Sequence, residues 1–351
     1  MIGLNIKDIR KFETLVQNAS KIVIVTHMKP DGDAMGSSAA MYGFLKSLDK
    51  ENVRIVISDP YPDYLGFIIS KEAGRDIFTY EDMPSESVAA IKESDLVICL
   101  DFNAFHRTDR LEQALEESGA TKVLIDHHLS PDTDKFSLVF SETEISSASE
   151  LLYQLLIRTS VIDGKPERLP KESATALMAG MTTDTNNFAN SIYPSTLKMA
   201  SDLLSAGVDR DMIIYELYNK QRENRIRLMG HALKDLLTIT DDGVAYMVID
   251  SDTLKRYDIK EGETEGFVNM PLTIGKVKMS LLLKEDGDKV RVSIRSKKGT
   301  SANRCARLYF NGGGHENAAG GKLYIPENIK NISEAGNYIE LYTHKFLTED
   351  K

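Results

Sequence analysis

The 351-residue sequence contains no tryptophan, has only two cysteines, Cys99 and Cys305, and lacks long hydrophobic runs. Two cysteines in apolar surroundings give no disulfide framework and suit a reducing compartment. Because no run is long enough to cross a bilayer, a membrane partner is not expected. The N-terminal residues also lack the apolar segment of a signal peptide, and a cytoplasmic location is therefore expected.

Positive charge is also scarce, since 43 Lys and Arg are outnumbered by 53 Asp and Glu, for a formal net charge of -10. Binding to a long nucleic acid is mostly phosphate neutralisation, so a long duplex partner is not expected. A short anionic substrate stays compatible with this charge, because bound cations would change the local field. The length suffices for two domains that each bury a core.

Short apolar runs alternate with helix-like segments through the first half of the chain, which predicts a parallel sheet covered by helices on both faces. We predict an α/β domain over residues 1–190, a helical linker over 191–237, and a smaller α+β domain over 238–351. Within the linker, Ser195 is the expected cap of one helix. A second, long helical stretch is expected from Asp209 to about Leu237.

Acidic and histidine side chains follow the ends of three predicted strands. The carboxyl ends of parallel strands meet at one edge of a sheet, where ligands bind. The residues concerned are His27, Asp31 and Asp33 after the first strand, Asp101 after the second, and Asp126, His127 and His128 in "LIDHHLS" after the third. Asp184, which follows a helix of small residues, is expected to join them.

Taken singly, each of these residues has a structural explanation, as part of a turn, a cap or a packed histidine. His106, His231 and His344 are interpreted in that way. The coincidence of so many ionisable groups on one sheet edge favours a functional site instead.

Carboxylates packed together raise each other's pKa unless cations intervene. Mixed His/Asp sites suit manganese, with zinc, iron or cobalt as alternatives. Two such cations about 3.5–4 Å apart can activate water and hold a phosphoryl group. The pattern therefore predicts metal-assisted hydrolysis of a phosphoester.

The C-terminal part carries a glycine-rich segment, "NGGGHENAAGG", over residues 311–321. Residues 289–307 just before it include seven basic and no acidic side chains. A tight turn and a solvated basic strand pair are the structural explanations. Together, glycines that expose backbone N–H groups and nearby basic side chains favour binding of a substrate phosphate.

Five motifs in this order resemble those of the DHH phosphoesterase superfamily: "VTHMKPDGDAMGS", "CLDFNAFHR", "LIDHHLS", "MTTDTNNF" and the "GGGHENAAGG" of its associated C-terminal domain. They span almost the whole chain. The two-domain length is most similar to the branch of bifunctional oligoribonucleases (nanoRNases) and pAp phosphatases. RecJ-type exonucleases carry further nucleic-acid-binding domains, and type II inorganic pyrophosphatases have a different C-terminal domain.

The resemblance implies two divalent metal ions, with manganese as the first expectation. One ion would be held by His27, Asp31 and Asp101. The other would be held by Asp33, Asp101, His127 and Asp184, so that Asp101 bridges.

The resemblance also implies roles in catalysis and in substrate binding. His128 would contact the scissile phosphate or assist the leaving group, Asp126 would orient its neighbours, and Arg107 would contact a phosphate. In the second domain the nucleotide or terminal phosphate would be bound by Arg295, Gly313, Gly314 and His315. Asn311 stands where many relatives have a further glycine, which leaves the path of the loop open.

The expected activity is degradation of short RNA to mononucleotides and dephosphorylation of pAp to AMP. A phosphodiesterase for cyclic di-AMP or pApA would use the same metals, and a RecJ-like single-strand exonuclease is a further alternative. A non-catalytic nucleotide-binding module is an alternative of another class, although it would be expected to have lost ligands. Other small nucleotides and a second copy of the chain, as a homodimer, remain open as partners.

Overall fold

The computed structural model describes residues 3–349, which divide into two units, one ending at Lys220 and the other beginning at Gln221. The first unit holds a six-stranded parallel sheet, and the second, smaller unit holds a six-stranded, mostly antiparallel sheet, so that the predicted fold class is confirmed. Within residues 3–349, no helix combines the length and the apolar character that crossing a bilayer requires.

The first unit alternates strands and helices along the chain. Its strands are β1 (Lys21–Val25), β2 (Asn52–Ile57), β3 (Ile77–Thr79), β4 (Leu96–Leu100), β5 (Thr121–Asp126) and β6 (Leu138–Ser141). Its helices are α1 (Ile6–Asn18), α2 (Gly32–Lys46), α3 (Lys71–Arg75), α4 (Pro84–Lys92), α5 (Glu112–Glu117), α6 (Ala148–Leu156), α7 (Lys171–Asp184), α8 (Pro194–Ser205) and α9 (Arg210–Ile214). Short 3-10 segments, among them Phe105–Leu111, connect some of these elements.

The six strands of the first unit run parallel in the order β3-β2-β1-β4-β5-β6. All five residues of β4 are buried, as expected for an apolar strand that is covered on both faces. The strand order reverses between β1 and β4, because β2 and β3 lie on one side and β5 and β6 on the other. In open α/β sheets a ligand crevice lies outside the carboxyl ends of the strands at such a reversal.

Helices α2 and α7 pack closely because both carry small residues at their contact. A Cβ atom on Gly36 would lie 2.8 Å from the backbone oxygen of Ala176 and 2.8 Å from the Cα atom of Gly180. Any larger side chain at position 36 would therefore push the two helices apart. This packing explains the small-residue composition of α2 and fixes the residues at its N-terminal end.

The second unit contains a sheet in the order β11-β12-β10-β9-β8-β7, with β8 and β9 parallel and the other pairs antiparallel. Its strands are β7 (Thr238–Ile239), β8 (Val244–Ile249), β9 (Met279–Asp286), β10 (Lys289–Ser296), β11 (Gly313–Gly314) and β12 (Ala318–Tyr324). Its helices are α10 (Glu223–His231), α11 (Ser251–Arg256), α12 (Ala302–Tyr309) and α13 (Ala335–Thr348).

The predicted linker, residues 191–237, divides between the two units. Leu217 belongs to the hydrophobic core of the first unit and Leu228 to a core of the second. The expected long helix from Asp209 to Leu237 is wrong, because α9 continues as π-helix only to Asn219 and α10 starts afresh at Glu223. The apolar residues of this segment pack into two different cores, one on each side of the break in the helix.

Ser195 is not the cap of α8, contrary to the sequence prediction. The N-cap is Tyr193, Pro194 occupies the first helical position, and the backbone N–H of Tyr193 donates to Oγ1 of Thr196 at 3.1 Å. Proline is favoured at the first helical position because its missing N–H is not needed there. The helix therefore starts two residues earlier than the Ser195 cap would place it.

Candidate metal centre

The ionisable residues predicted to share one sheet edge lie where the strand order reverses. His27 follows β1 by two residues, Asp101 directly follows β4, and β5 ends at Asp126. Asp101 has a φ of 63°, a left-handed backbone that is uncommon outside glycine. Its backbone N–H still donates to the oxygen of Ile125 at 3.1 Å, which holds this unusual turn against β5.

One cluster of ligand atoms consists of His27, Asp31 and Asp101. Nε2 of His27 lies 3.5 Å from Oδ2 of Asp101 and 3.9 Å from Oδ1 of Asp31. Nδ1 of His27 lies 2.8 Å from the backbone oxygen of Met28. A carbonyl oxygen can only accept, so Nδ1 carries a proton and Nε2 is the ring nitrogen on the side of the carboxylates.

A second cluster consists of Asp33, Asp101 and His127, all buried. Nε2 of His127 lies 3.3 Å from Oδ1 of Asp101 and 3.9 Å from Oδ2 of Asp33. Oδ2 of Asp184 lies 3.7 Å from the same nitrogen. Asp101 belongs to both clusters, one oxygen near each histidine.

The donors of these clusters fit divalent metal ions. Within each cluster the ligand atoms lie within 4.8 Å of one another, and they are carboxylate oxygens and imidazole nitrogens. Such ligands suit manganese and also zinc, iron or cobalt. The residues that the sequence assigned to two ions are therefore brought together in two groups that share one aspartate.

The pKa values of His27 and His127 are raised by the carboxylates around them. Burial by itself lowers the pKa of His27, but the hydrogen bond to Asp101 and the charges of Asp31 and Asp101 outweigh it and raise the pKa to about 9. Burial likewise lowers the pKa of His127, whereas Asp101, Asp184 and Asp33 raise it to about 10. The surrounding carboxylates thus favour the protonated form of both rings.

The pKa values of the three buried or half-buried carboxylates shift in different directions: those of Asp33 and Asp184 rise, and that of Asp101 falls. Burial raises the pKa of Asp33 well above its usual value, and the charges of Asp101 and Asp184 add to this effect. Burial also raises the pKa of Asp184. The charge of His127 opposes this rise and the charge of Asp101 adds to it, and the resulting pKa is about 6. Burial would raise the pKa of Asp101 too, but hydrogen bonds from His127 and His27 lower it below its usual range. Asp101 is thus the carboxylate most firmly held as an anion.

Asp184 ends α7, and the chain then turns through an unusual backbone. Asn186, Asn187 and Phe188 have φ values of 46°, 55° and 66°. Asparagine tolerates this conformation, but it is uncommon for a bulky residue such as Phe188. Strained backbone of this kind is frequent beside functional sites.

His128 and Asp126 form a separate pair beside the clusters. Nδ1 of His128 lies 2.7 Å from Oδ1 of Asp126, and the backbone N–H of His128 donates to Oδ2 of the same carboxylate at 3.2 Å. Asp126 is fully buried, so its carboxylate is held in place and fixes the orientation of the ring. Asp126 thus contacts the histidine that the sequence assigned to the phosphate.

Arg107, the predicted phosphate contact, lies in the 3-10 segment Phe105–Leu111. Its backbone oxygen accepts a hydrogen bond of 2.8 Å from the N–H of Met28, next to His27. The structure therefore places Arg107 against the loop that carries the first cluster. Its side chain is half-buried, and its role stays a prediction.

In the second unit, Arg295 and His315 lie at the same end of the sheet. Arg295 of β10 is in register with Ala318 of β12, and the backbone N–H of His315 donates to the oxygen of Ala318 at 2.7 Å. Gly313 and Gly314 form β11 between α12 and this turn. The structure thus places these four residues at one end of the sheet, with β11 and β10 on the two sides of β12, and their role in binding substrate stays a prediction.

The glycine-rich loop is closely packed on β12. A Cβ atom on Gly312 would lie 1.9 Å from the backbone oxygen of Gly320. Gly314 has a φ of 150°, and a Cβ there would lie 2.6 Å from the oxygen of Ala318. Asn311 adopts a left-handed φ of 48°, and its Nδ2 donates to the backbone oxygen of Lys322 at 3.1 Å. Asparagine tolerates this conformation, which answers the question of the loop path.

The basic segment before this loop is partly neutralised. Nε of Arg291 donates to Asp286 at 2.6 Å, and its Nη1 donates to Glu261 at 2.5 Å. Nζ of Lys297 donates to the backbone oxygen of Ile274 at 2.9 Å. The count of basic residues in the sequence therefore overstates the charge that a substrate would meet.

Sequence reasoning missed the start of α6, which contacts Asp33. The backbone N–H of Ala148 donates to Oδ2 of Asp33 at 2.6 Å, and that of Ser149 donates to Oδ1 at 2.9 Å. These are the first two amides of a helix, which have no partner within the helix itself. The pattern Ser147-x-x-Glu150 marks such a helix start and was the available signal.

Comparison with known proteins assigns both units to one family. Residues 21–181 match the DHH family, N-terminal domain, and residues 241–339 match the DHHA1 domain. The bifunctional oligoribonuclease and PAP phosphatase NrnA of Bacillus subtilis (strain 168) is 28% identical over 310 residues, which cover 86% of this chain and 89% of that protein.

Two solved structures show the same fold. The crystal structure of an exopolyphosphatase-related protein from Bacteroides fragilis has 36% sequence identity and a TM-score of 0.89, over 99% of this chain and 98% of that one. The crystal structure of exonuclease RecJ bound to manganese has 17% identity and a TM-score of 0.54, over 98% and 96% of the two chains. The second likeness is evidence for the fold alone.

Proposed function

This chain belongs to the DHH family, and we propose that it is a metal-dependent phosphoesterase acting on short nucleotide substrates. Its substrates in this proposal are short oligoribonucleotides, degraded to mononucleotides, and pAp, dephosphorylated to AMP. The observation that carries the proposal is the pair of His/Asp clusters that share the buried Asp101. Similarity to NrnA over most of both chains supports the choice of substrates.

In the proposed centre Asp101 would be a ligand of both of two divalent ions, with manganese as the first choice. His27 and Asp31 complete one ligand set, and the other comprises Asp33, His127 and Asp184. When bound, the ions would neutralise the phosphate and activate a water molecule for attack. The chain's own contribution is to hold the carboxylates at one sheet edge and to keep His27, through the backbone oxygen of Met28, in the tautomer that a metal needs.

His128 and Asp126 are proposed to act on the scissile phosphate. Asp126 accepts from Nδ1 of His128, so Nε2 is the nitrogen that we assign to the phosphate or to the leaving oxygen. The buried carboxylate fixes the orientation of the ring. A histidine so held can donate a proton to a leaving alkoxide. Arg107 is proposed as an additional phosphate contact.

Substrate selection is proposed for the second unit. Arg295 supplies a guanidinium group, and Gly313, Gly314 and His315 supply a loop whose backbone can approach a phosphate closely. The excess of acidic residues opposes binding of a long polyanion and is compatible with small substrates. The proposal therefore joins a fixed reaction centre to a separate group of anion-binding residues.

The test is hydrolysis by the purified protein with manganese on pAp, two- to five-residue RNA, pApA and cyclic di-AMP in parallel. Turnover of pAp and short RNA with cyclic di-AMP untouched is expected. Preference for the cyclic compound would contradict the substrate assignment but not the metal centre. Parallel assays with magnesium and zinc identify the preferred ion, and the Asp101→Asn variant corrects for contaminating nucleases.

A further inference from the structure

Glu150 is a fully buried acidic residue for which the proposed reaction has no direct use. It lies at the third position of α6, three residues after the N-cap Ser147, whose side chain accepts from the backbone N–H of Glu150 at 3.0 Å. A glutamate at this position usually bonds back to the N-cap residue itself and lies at the surface. Here it is buried and bonds elsewhere.

The carboxylate of Glu150 connects two helix starts. Its Oε2 accepts from both the backbone N–H, at 3.2 Å, and the hydroxyl of Ser146. The same oxygen accepts from Oγ1 of Thr196, in the first turn of α8, at 2.6 Å. Thr196 also accepts from the backbone N–H of Tyr193, so the start of α8 is itself fixed. One oxygen atom thus fixes Ser146, the residue before the N-cap of α6, relative to α8.

The helix start that Glu150 fixes is the one that holds Asp33. Both carboxylate oxygens of Asp33 accept from the first two amides of α6. Gly180 of α7 faces this contact, and a Cβ atom there would lie 2.1 Å from Oγ of Ser149. The position of α6 is therefore closely defined from one side by α7 and from the other by Glu150 and α8.

A buried carboxylate is a costly means of fixing a helix unless its position serves a further purpose. Oε1 of Glu150 is buried, and among residues 3–349 no hydrogen-bond partner for it is found. The hydrogen bonds of this region therefore leave one oxygen of Glu150 without a donor among residues 3–349. They do satisfy the donors of Ser146 and Thr196, which lie on the two segments that must keep their relative position.

We propose that Glu150 is a positioning residue for Asp33: by holding the start of α6 through Ser146 and Thr196, it orients the Asp33 carboxylate as a metal ligand. This inference rests on the proposed metal centre. It predicts that Glu150 sets the affinity of the ion that Asp33 binds and leaves the ion of His27 and Asp31 almost unaffected. Of Glu150 and Asp33, Asp33 alone would contact the metal.

Calorimetric titration of MnCl2 into the chelator-treated full-length protein tests this inference. The wild-type protein is expected to bind two ions. Loss of a partner that orients a ligand costs about 10–100-fold in metal affinity. The Glu150→Ala variant should therefore bind one ion at least about tenfold more weakly and the other with affinity unchanged within about threefold.

Glu150→Gln separates positioning from general loss of structure. The glutamine keeps an acceptor oxygen for Ser146 and Thr196, so it should restore the affinity of the weakened ion to within about threefold of wild type. The matched control is Gln154→Ala, one turn further along α6, where a buried side chain accepts from Arg158 instead. This control should leave both affinities unchanged.

Binding of both ions as in the wild-type protein by a folded Glu150→Ala variant would overturn the inference. So would a Glu150→Gln variant as weak as Glu150→Ala. If Glu150→Ala does not fold, Thr196→Val decides, because it keeps Ser146 bound to Glu150 and removes the bond from Thr196 to Glu150, together with the acceptor of the Tyr193 N–H at the start of α8. It should weaken the same single ion. A wild-type protein that binds no manganese would contradict the proposed function itself, which distinguishes the two failures.

Discussion

The two units of this protein present their candidate functional residues in opposite ways. In the first unit Asp33, Asp101, His27 and His127 are buried at the carboxyl edge of a parallel sheet. In the second unit Arg295, Gly313, Gly314 and His315 are half-buried or exposed, at the end of a mostly antiparallel sheet. Charge is concentrated and enclosed in one unit and accessible in the other.

The difference follows from what each set of residues is proposed to do. Metal ligands need fixed positions, and buried strand ends with backbone hydrogen bonds supply them. Recognition of a small phosphate needs accessible donors on a backbone without obstructing side chains. Substitutions in the first unit should therefore change the rate constant of the reaction, and those in the second should change the Michaelis constant.

Replacement of the shared aspartate should have the largest effect. Asp101→Asn removes the negative charge common to both clusters, and we expect kcat to fall by at least about 10³-fold, equivalent to about 4 kcal/mol. The measurement is hydrolysis of pAp with manganese. Asp95→Asn is the matched control at the opposite end of β4, where Asp95 accepts from the backbone N–H groups of Ser20 and Lys21. Equal activity of the two variants would contradict the assignment.

Replacement of the partner of His128 should have the next largest effect. Asp126→Asn removes the acceptor charge on the far side of the ring, and we expect kcat to fall by about 10–100-fold. The measurement is hydrolysis of pAp with manganese at saturating substrate. A wild-type kcat in this variant would contradict the role proposed for Asp126 and His128.

A substitution in the second unit tests the proposal that basic residues of this unit bind the substrate. Arg295→Ala should raise the KM for pAp by about tenfold, the cost of one charged hydrogen bond, with little change in kcat. Arg291→Ala, four residues earlier on β10, removes an arginine that is paired with Asp286 and Glu261 and should leave KM unchanged. A fall in kcat alone for Arg295→Ala would assign this residue to the reaction centre.

The smallest effect concerns stability of the chelator-treated protein. The folded-state pKa of His27, about 9, lies above its unfolded value of about 6.5, so its contribution is complete below pH 6.5 and is lost as the pH rises through 9. We expect Tm to fall by about 2–4 °C more over this range in the wild-type protein than in His27→Gln. Thermal scans at fixed ionic strength measure it. Parallel Tm curves for the two proteins would show that the predicted pKa shift is absent.

Much of the candidate site was predictable because its residues directly follow apolar strands. His27, Asp101 and His127 needed only the rule that parallel strands end at a common edge. The two clusters contain every residue that the family resemblance implied as a metal ligand except Asp184, and that role stays a prediction. Local sequence and topology were sufficient here.

The contacts of α6 with Asp33 were not predictable in the same way. Ala148 and Ser149 are far from Asp33 in sequence and contribute backbone amides, which leave no signature in side-chain chemistry. The short strands β3 and β6 and the glycine-rich β12 were also missed. Glycine is unfavourable in strands, and runs of three or four residues carry little periodicity.

The central claim is that two metal ions share Asp101 at the carboxyl edge of the parallel sheet. Anomalous diffraction from crystals of the manganese-loaded protein tests it directly. We expect two anomalous peaks, one in contact with His27, Asp31 and Asp101, the other with Asp33, Asp101, His127 and Asp184. A single peak, or two peaks that do not both contact Asp101, would contradict the account.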